Sequence, residues 1–314
     1  MTVQQLRRIL QVGSLLLICL IPVIESYKRL VYHLPRNSIG KLYSVSEELS
    51  YLDSSLKGGY LESVMIALDA FLGSIFENIN ALNRLIEGFS GYFWSITIGG
   101  FTVIDPLAVI QVSRQSYATS LDFWSSILLP IVIVLIFGRV FCSWICPFNT
   151  LQELTRFVLR KLKIPMIKKS LLTDSYLRFL VLGTGIVLTL LGIAVFPHFL
   201  PYVQLGRFFY YLTIGSIYWT GLIFIVAILI VDGLLQKGFW CNYLCPTGAL
   251  LSLLGRKRKV CVRRNKETCI GSCSLCEKVC VWDSHPKLDE FSNCSNCHLC
   301  IDKCPSKALK IFRP

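Results

Sequence analysis

The chain has 314 residues; 54% of them are hydrophobic and 16% are charged, and 32 Lys and Arg against 19 Asp and Glu give a formal charge of +13. Soluble globular proteins are about 45–50% apolar and about 25% charged. The composition therefore excludes a disordered chain, a collagen-like repeat and most ordinary soluble enzymes. The apolar residues, the basic residues and the 14 cysteines are concentrated in different parts of the sequence.

Four apolar stretches approach the roughly 20 residues that a membrane-spanning helix needs. They are Ile9–Ile24, Phe123–Phe141, Tyr176–Phe196 and Leu212–Leu235. The ionisable residues near the ends of the last three, Arg139, Arg178 and Asp232, are expected to extend to the membrane interface. No small-residue cleavage site follows the first stretch, which favours an uncleaved anchor over a signal peptide.

Two pieces of the long segment between the first and second spans have patterns of their own. Gly59–Gly88 mixes apolar residues with acids, which is typical of an amphipathic helix lying on the membrane or on other helices. Gly91–Val112 is apolar but carries Asp105-Pro106 in its second half. We expect it to be an interfacial or re-entrant segment and not a span.

The distribution of Lys and Arg predicts the orientation of the spans. The N-terminal tip has Arg7 and Arg8 and no acid, residues 142–177 have six Lys and Arg against two acids, and the tail from 236 has fourteen against six. Residues 27–122 instead have seven against nine acids. Because Lys and Arg mark the cytoplasmic side, both termini are predicted to be cytoplasmic in a multi-pass protein of the cytoplasmic (inner) membrane. The basic run 256–259 fits an orientation signal or a contact with anionic lipid better than a nucleic-acid site.

A cysteine motif is repeated at the ends of the second and fourth spans. Cys142-Ser-Trp-Ile-Cys146-Pro147 follows one, and Cys241-Asn-Tyr-Leu-Cys245-Pro246 follows the other. The membrane part therefore consists of two similar helix pairs. Spacing i, i+4 puts both sulfurs of a pair on one helical face. The four thiols would hold a metal or a further iron–sulfur centre, act as a redox-active dithiol pair, or simply pack.

Eight cysteines of the tail form two runs within 36 residues. They are Cys269-x3-Cys273-x2-Cys276-x3-Cys280 and Cys294-x2-Cys297-x2-Cys300-x3-Cys304-Pro305. The second run has the spacing of a bacterial ferredoxin loop, in which the fourth cysteine ligates the other cluster. One 4Fe-4S cluster is thus expected on Cys269, Cys273, Cys276 and Cys304, and the other on Cys294, Cys297, Cys300 and Cys280.

The first run departs from this pattern in two ways. Its first gap has three residues instead of two, and Val281 stands where the proline would be. The longer gap leaves room for another ligand set, in which Cys261 would be a poor substitute. Disulfides need an oxidising compartment, zinc prefers paired CxxC elements, and the haem-attachment pattern that begins at Cys294 lies inside a ferredoxin run. Iron–sulfur clusters fit the two runs best.

These observations predict an all-α membrane bundle of four transmembrane helices in two pseudo-repeated pairs, followed by a small α+β two-cluster ferredoxin domain. The expected divisions are 1–26 for the first transmembrane helix and 27–122 for the extracytoplasmic loop. Residues 123–255 would hold spans 2–4 with both CxxxCP motifs, and residues 256–314 the cytoplasmic ferredoxin domain.

Together the motifs resemble the NapH-type membrane ferredoxin family, which is related to NosR- and MauN-type proteins. The likeness rests on Asp105-Pro-Leu107, both CxxxCP motifs, Leu205-Gly-Arg207 and the two ferredoxin runs, and it covers about 105–305. The resemblance implies a quinol-oxidising, electron-transferring membrane subunit. Its implied partners are membrane quinol, a separate iron–sulfur protein and a periplasmic reductase of the nitrate or nitrous-oxide type.

A quinol site needs an apolar slot with a few polar groups. The polar candidates near the outer ends of the spans are Asp105, Gln111, Arg114, His198, Tyr202 and Arg207. Asp105 or His198 would accept protons, and Arg207 or Arg114 would hold an oxyanion; the alternative is that all are interface anchors. A haem between His33 and His198 has no other support.

Two functions of other classes also fit the same cysteines. The protein would be a maturation factor that supplies electrons or thiols to a periplasmic metalloenzyme, or a redox sensor. Deleting the protein distinguishes the maturation factor from an electron-transfer subunit. Loss of a maturation factor would leave the partner reductase deficient in cofactor, whereas loss of an electron supplier would leave it intact. A sensor should have an output domain, and the sequence has no visible one.

Overall fold

The computed structural model describes residues 2–33, 89–92, 95–98, 101–112, 121–164, 176–193, 195–213, 215–235, 238–282, 284–286 and 293–312. This part of the chain is mostly helical. Its helices are α1 (Val3–His33), α2 (Pro106–Val112), α3 (Leu121–Phe137), α4 (Val140–Trp144), α5 (Pro147–Lys161), α6 (Leu177–Leu190), α7 (Phe196–Phe199), α8 (Pro201–Thr213), α9 (Trp219–Leu234), α10 (Pro246–Leu254), α11 (Leu275–Val279) and α12 (Leu299–Asp302). The amphipathic helix predicted for Gly59–Gly88 lies outside the described residues.

Each predicted span contains a helix. Among the described residues, Val3–Ile24 within α1 is the one helical stretch both long and apolar enough to cross a membrane. The apolar parts of α3, α6 and α9 are shorter: Trp124–Phe137, Leu177–Leu190 and Trp219–Leu234. The helical nature of the four stretches was therefore predicted correctly, and four membrane crossings remain a proposal.

The segment before α2 contains strands that were not predicted from the sequence. In and just before the stretch Gly91–Val112, β1 (Phe89–Tyr92), β2 (Ser95–Ile98) and β3 (Phe101–Ile104) form an antiparallel sheet in the order β1-β2-β3. The register pairs Phe89 with Ile98 and Ser95 with Ile104. Threonine, isoleucine and aromatic residues favour strands, which accounts for the sheet; the interfacial location of the segment stays a prediction. Only Pro106–Val112 is helical, and Asp105 caps this helix by accepting a hydrogen bond from the Leu107 amide at 2.7 Å.

The helices have polar residues buried inside and apolar residues exposed outside. In α1, Arg7, Gln11 and Ser14 are buried, whereas Ile9 is 58% and Leu16 57% exposed. Helix α5 repeats the arrangement: its buried residues include Asn149, Gln152 and Arg156, and its exposed ones include Leu154, Phe157 and Val158. A water-soluble helix has the reverse pattern. The arrangement is the one expected where the outer surface faces lipid.

The packing joins the two halves. Helix α1 packs on α8 and α5, α5 packs on α9, and α6 packs on α10. Helix α10 follows the second CxxxCP motif, and α5 follows the first. Helix α3 leads into the first motif, yet α5, which follows that motif, packs on α9. Helix α9 leads into the second motif, yet α10, which follows that motif, packs on α6.

A small antiparallel ladder closes the C-terminal part. Strand β4 (Cys261–Arg264) pairs with β5 (Leu309–Phe312), with Cys261 opposite Phe312. Helices α11 and α12 lie between these strands in sequence and pack against each other. Paired terminal strands around two short helices are what the predicted α+β ferredoxin domain requires.

The contact between α6 and α7 gives a direct test of the packing. A Cβ atom on Gly185 would lie 2.5 Å from Cε1 of Phe196, whose side chain is 1% exposed. We predict that Gly185→Ala lowers the free energy of unfolding by about 1–3 kcal/mol, the usual result of overpacking a core. Thermal unfolding of the detergent-solubilised protein measures this.

Gly183→Ala on the same helix is the matched control, because nothing lies within 4 Å of a Cβ placed there. Alanine is the better helix former, so this control should unfold at the same temperature or slightly higher. Equal destabilisation by the two substitutions would contradict the predicted packing of Phe196 on Gly185.

Candidate metal centres

Four tail cysteines surround one small cavity, and we name them the inner cysteine group. The cavity is lined by Cys280, Cys294, Cys297 and Cys300 together with Val262, Trp282, Ser284, Pro286, Ser295, His298 and Leu299. Their sulfurs interact electrostatically with one another. These are the four residues expected to ligate the second cluster, with Cys280 contributed by the first run. Their role as ligands stays a prediction that this convergence supports.

The local backbone explains how Cys294, Cys297 and Cys300 face the same cavity. Asn296 and His298 both have positive φ, 53° and 61°. Asparagine adopts this left-handed conformation more readily than most residues. The loop therefore turns sharply on either side of Cys297, and α12 begins directly afterwards with Cys300 in its first turn.

The remaining ferredoxin cysteines, Cys269, Cys273, Cys276 and Cys304, are named the outer cysteine group. Cys276 on α11 interacts electrostatically with Cys269. Cys280 follows α11 and Cys304 follows α12, so the packed helices end with one cysteine each. The assignment of these four to a single cluster stays a prediction.

Burial controls the acidity of the inner thiols. It raises the pKa of Cys280 to about 12, and it also raises the pKa values of Cys294, Cys297 and Cys300. Burial alone would likewise raise the pKa of Cys304, but hydrogen bonds from the Ser306 hydroxyl and nearby backbone amides outweigh it and lower that pKa. Thiolates are the form that ligates metal, so positive charge from a bound centre has to offset burial in the inner group.

The four CxxxCP cysteines also converge, and we name them the paired-motif cysteines. Cys241 interacts electrostatically with Cys142, Cys146 and Cys245. The motifs have the same backbone geometry: the amides of Cys146 and Cys245 each donate to the carbonyl five residues earlier, at 2.9 Å. Cys146 has φ −61° and ψ 114°, Cys245 has φ −68° and ψ 114°, and each precedes a proline that begins a helix.

Buried guanidinium groups test whether an anionic centre fits among these sulfurs. Arg139, Arg156 and Arg178 are 0%, 4% and 3% exposed. Each has two guanidinium nitrogens without a hydrogen-bond partner in the described part of the chain. A buried charge without a partner is costly. Arg139 interacts with Cys142 and Cys245, and Arg156 with Cys241. An iron–sulfur cluster on four thiolates carries about two negative charges, which fits this surplus of buried positive charge.

Further polar residues organise the second motif. Asp232, fully buried, accepts hydrogen bonds from the amides of Phe239 and Trp240 at 2.9 Å and from the Gln152 side chain. The Cys241 thiol donates to Gln152 Oε1 at 3.5 Å. A Cβ on Gly238 would lie 2.9 Å from Nη2 of Arg156. Glycine at this position therefore leaves room for the arginine.

Sequence reasoning missed these residues or placed them wrongly. Arg139, Arg178 and Asp232 were expected to extend to the membrane interface, but all are buried among the helices. Carbonyls and aromatic rings offset part of the desolvation of the arginines; Arg139, for example, donates to the Cys241 carbonyl at 3.0 Å and lies over Trp282. Asp232 is held instead by the amides of Phe239 and Trp240. Their only signal in the sequence is their position within two or three residues of a CxxxCP motif or inside an apolar run.

The structure pairs the residues that were proposed from the sequence for quinol in two sets. The Asp105 carboxylate accepts a hydrogen bond from the Tyr202 hydroxyl, which is 3.1 Å from Thr247 Oγ1, two residues after Cys245. On the surface, Nη1 of Arg207 lies 3.4 Å from Nδ1 of His198. Arg114 and the side chains of Gln111 and His33 lie outside the described residues.

Within the described residues, no three His, Cys, Asp or Glu side chains are placed to share one metal ion. In a 4Fe-4S cluster each thiolate binds a different iron atom, so its four sulfurs need not meet at one point. Both groups of converging cysteines are compatible with such a larger centre.

A family model described as a 4Fe-4S binding domain matches the chain twice, at residues 123–165 and 217–265. Each match contains one CxxxCP motif, so the same model recognises both halves. No solved structure matches the chain.

Three related proteins illustrate the likeness. The regulatory protein NosR of Stutzerimonas stutzeri is 27% identical over 320 residues, which cover 89% of this chain and 43% of NosR. The ferredoxin-type protein NapH of Escherichia coli (strain K12) is 26% identical over 233 residues, 70% of this chain and 78% of NapH. An uncharacterized protein of Methanocaldococcus jannaschii is 33% identical over 187 residues, 57% of this chain and 74% of that protein.

The chain spans less than half the length of the NosR relative and most of the length of the NapH relative. The resemblance predicted from the cysteine motifs is confirmed by the family match and by these relatives together. The chain belongs to the NapH-type ferredoxin family.

Proposed function

We propose that this protein is an integral-membrane electron-transfer subunit that oxidises quinol and passes the electrons through 4Fe-4S clusters to a partner iron–sulfur protein and a periplasmic reductase. The observation that carries the proposal is the inner cysteine group, whose four sulfurs line one cavity. Next to it lie four more converging cysteines among buried arginines, each of which has two guanidinium nitrogens without a hydrogen-bond partner in the described residues. Closely spaced sites of this kind suit electron relay better than storage or catalysis at one centre.

The membrane location is supported by the exposed apolar surface. Leu128, Leu180 and Ile223, on three different helices, are 63–65% exposed, and the buried faces of α1 and α5 are polar. In water this arrangement would expose large apolar patches, whereas in lipid it satisfies both faces. This surface and the distribution of Lys and Arg support the proposal of four crossings with cytoplasmic termini.

The chain's own residues would hold the clusters and set their surroundings. A 4Fe-4S cluster, when bound, accepts and releases one electron at a time. The inner group would hold one cluster, the outer group a second and the paired-motif cysteines a third. Arg139, Arg156 and Arg178 would balance negative charge at the paired motifs, and the amides that begin α5 and α10 point at the Cys146 and Cys245 sulfurs.

Asp105 and Tyr202 are suited to proton handling during quinol oxidation. Oxidation of a quinol releases two electrons and two protons. The Asp105 carboxylate would accept a proton, and the hydroxyls of Tyr202 and Thr247 form a hydrogen-bonded connection toward Cys245. Because Tyr202 is buried and Asp105 is partly buried, we assign proton acceptance to the Asp105 carboxylate, and not surface anchoring, and we assign its positioning to the Tyr202 hydroxyl that donates to it. His198 and Arg207 would contact a ring oxygen at the protein surface.

Metal content tests the number of clusters. Three clusters of four irons correspond to about twelve irons per chain, and two clusters to about eight. We predict that wild-type protein purified without oxygen contains about twelve irons with matching acid-labile sulfide, and that Cys142→Ser combined with Cys245→Ser reduces this to about eight.

Cys19→Ser is the control, because Cys19 lies on α1, outside both motifs in sequence, and packs against the apolar cluster of the helices. It should keep the wild-type iron content. If the double variant also keeps it, the paired-motif cysteines are packing residues and the third cluster is excluded.

Proton acceptance is tested by Asp105→Asn and Tyr202→Phe. A positioned base contributes about 10²–10⁴-fold to a reaction rate, so we predict that Asp105→Asn slows quinol-dependent cluster reduction by about 100-fold and Tyr202→Phe by less. Reduction by dithionite, which needs no proton acceptor, should keep its wild-type rate. Stopped-flow absorbance of the clusters measures both reactions.

Tyr211→Phe on the same helix as Tyr202 is the matched control, because its ring stacks on Tyr218 and phenylalanine keeps that contact. It should oxidise quinol at the wild-type rate. Wild-type rates in Asp105→Asn would exclude Asp105 as the proton acceptor.

A further inference from the structure

We propose that the CxxxCP motifs also form a socket for the ferredoxin domain, which makes the inner cysteine group the point where electrons arrive and the outer group the point where they leave. The inference rests on the proposed electron-transfer function and deepens it. It assigns a role to the residues that stand between the motif cysteines and are not themselves predicted ligands.

Consecutive backbone carbonyls of the inner loop are held from outside it. The Ser143 hydroxyl donates to the Ser295 carbonyl at 2.8 Å, and the Trp144 indole donates to the Asn296 carbonyl at 3.0 Å. Both donors lie between the cysteines of the first CxxxCP motif. The Gln4 side chain at the start of α1 then donates to the Cys297 carbonyl at 2.8 Å.

The same loop is anchored on its other side. Arg258 donates to the Cys294 carbonyl at 2.9 Å, and the Asn296 side chain donates to the carbonyls of Phe137 and Val260 at 2.8 and 3.0 Å. Four successive carbonyls, from residue 294 to 297, are therefore bound by donors from other parts of the chain. Such a loop has little freedom to move relative to the paired motifs.

The second motif holds the remaining inner ligand. Asn242, between Cys241 and Cys245, donates from its side chain to the Val281 carbonyl at 3.1 Å, and Val281 directly follows Cys280. The Gly238 amide donates to the same carbonyl at 3.3 Å. Both halves of the membrane part thus contact the inner group through the residue next to a predicted ligand.

The N-terminal helix fixes the socket in place. Buried Arg7 pairs with Glu153 and donates to the Ser143 carbonyl at 3.0 Å, to which Gln11 also donates at 3.0 Å. Ser143 is therefore bound through its carbonyl by α1 while its hydroxyl holds the inner loop. A paired, hydrogen-bonded charge in a dry site is expensive to separate, so this arrangement should be rigid.

The outer group is placed differently. Ile270 and Leu275, beside Cys269 and Cys276, are 48% and 43% exposed. In the inner loop, Ser295 and Asn296 are 0% and 3% exposed. The outer group is thus partly exposed beside residues that reach solvent, where a separate one-electron redox protein can approach. When one electron passes from the inner site to the outer site, the inner site is oxidised and the outer site is reduced. The electron balance therefore needs only quinol as the donor and that redox protein as the acceptor.

Removing one predicted ligand from each site, in separate variants, tests the order in which electrons reach the inner and outer cysteine groups. We expect Cys300→Ser, with its inner cluster lost, to leave the outer cluster unreduced by quinol although dithionite still reduces it. Cys276→Ser should still show quinol-dependent reduction of the inner cluster and lose transfer to an external acceptor. Freeze-quench EPR of each cluster, with iron content measured on the same samples, gives the result. Reduction of the outer cluster by quinol at the wild-type rate in Cys300→Ser would overturn the order.

The socket itself is tested by Ser143→Ala with Trp144→Phe, and by Gln4→Ala as a milder variant that leaves the core intact. Loss of one or two buried hydrogen bonds should slow quinol-dependent reduction of the outer cluster by about tenfold and shift the EPR signal of the inner cluster alone. Ser252→Ala with Trp219→Phe is the matched control: Ser252 bonds within its own helix and Trp219 is 62% exposed.

The outcomes separate the two proposals. If wild-type protein contains no clusters, or its clusters are not reduced by quinol, the proposed function fails. If wild-type protein behaves as proposed but both socket variants match the control in EPR signal and rate, the function stands and the socket is wrong.

Discussion

The arrangement of the protein depends on an excess of buried positive charge, because among the described residues three buried arginines lie around a single fully buried acid, Asp232. Arg139, Arg156 and Arg178 lie among the helices with guanidinium nitrogens unpaired in the described part of the chain. Burial of a charged group costs several kcal/mol unless it is compensated. A bundle of short helices can keep these charges only if something anionic shares the site. The converging thiols of the CxxxCP motifs are the groups that become anionic when they bind metal.

This constraint also explains why the membrane part and the C-terminal part are inseparable. Trp282 of the tail lies under the Arg139 guanidinium, and one apolar cluster contains Cys142, Leu251, Trp282 and Cys297. The C-terminal segment therefore covers part of the charged site. The low local dielectric of such an apolar cluster strengthens the charge interactions within it.

The cysteine runs and apolar stretches were sufficient to predict the helices, the repeated halves and which four cysteines converge around the inner cavity, because spacing along the chain determines these features. Buried arginines could not be predicted, since Arg139 at the end of an apolar run looks the same whether it turns toward lipid headgroups or toward a thiol. The strands at 89–104 were missed for a related reason: isoleucine, threonine and phenylalanine suit both a membrane interface and a sheet. Tertiary contacts decide whether such an apolar segment lies at a membrane interface or forms a sheet.

The two halves contribute different charged residues to the site formed by the paired-motif cysteines. Arg139 stands three residues before Cys142, and the corresponding position before Cys241 is Gly238, where a Cβ would collide with Arg156 from the first half. Arg139 and Arg156 therefore both come from the first half, whereas the second half contributes Arg178 together with the buried acid Asp232, although the sulfurs come equally from both halves. The symmetry of the backbone is not a symmetry of charge. The bound centre would experience a permanent field across it, so its four irons would not be electronically equivalent, and the extra electron would favour one side.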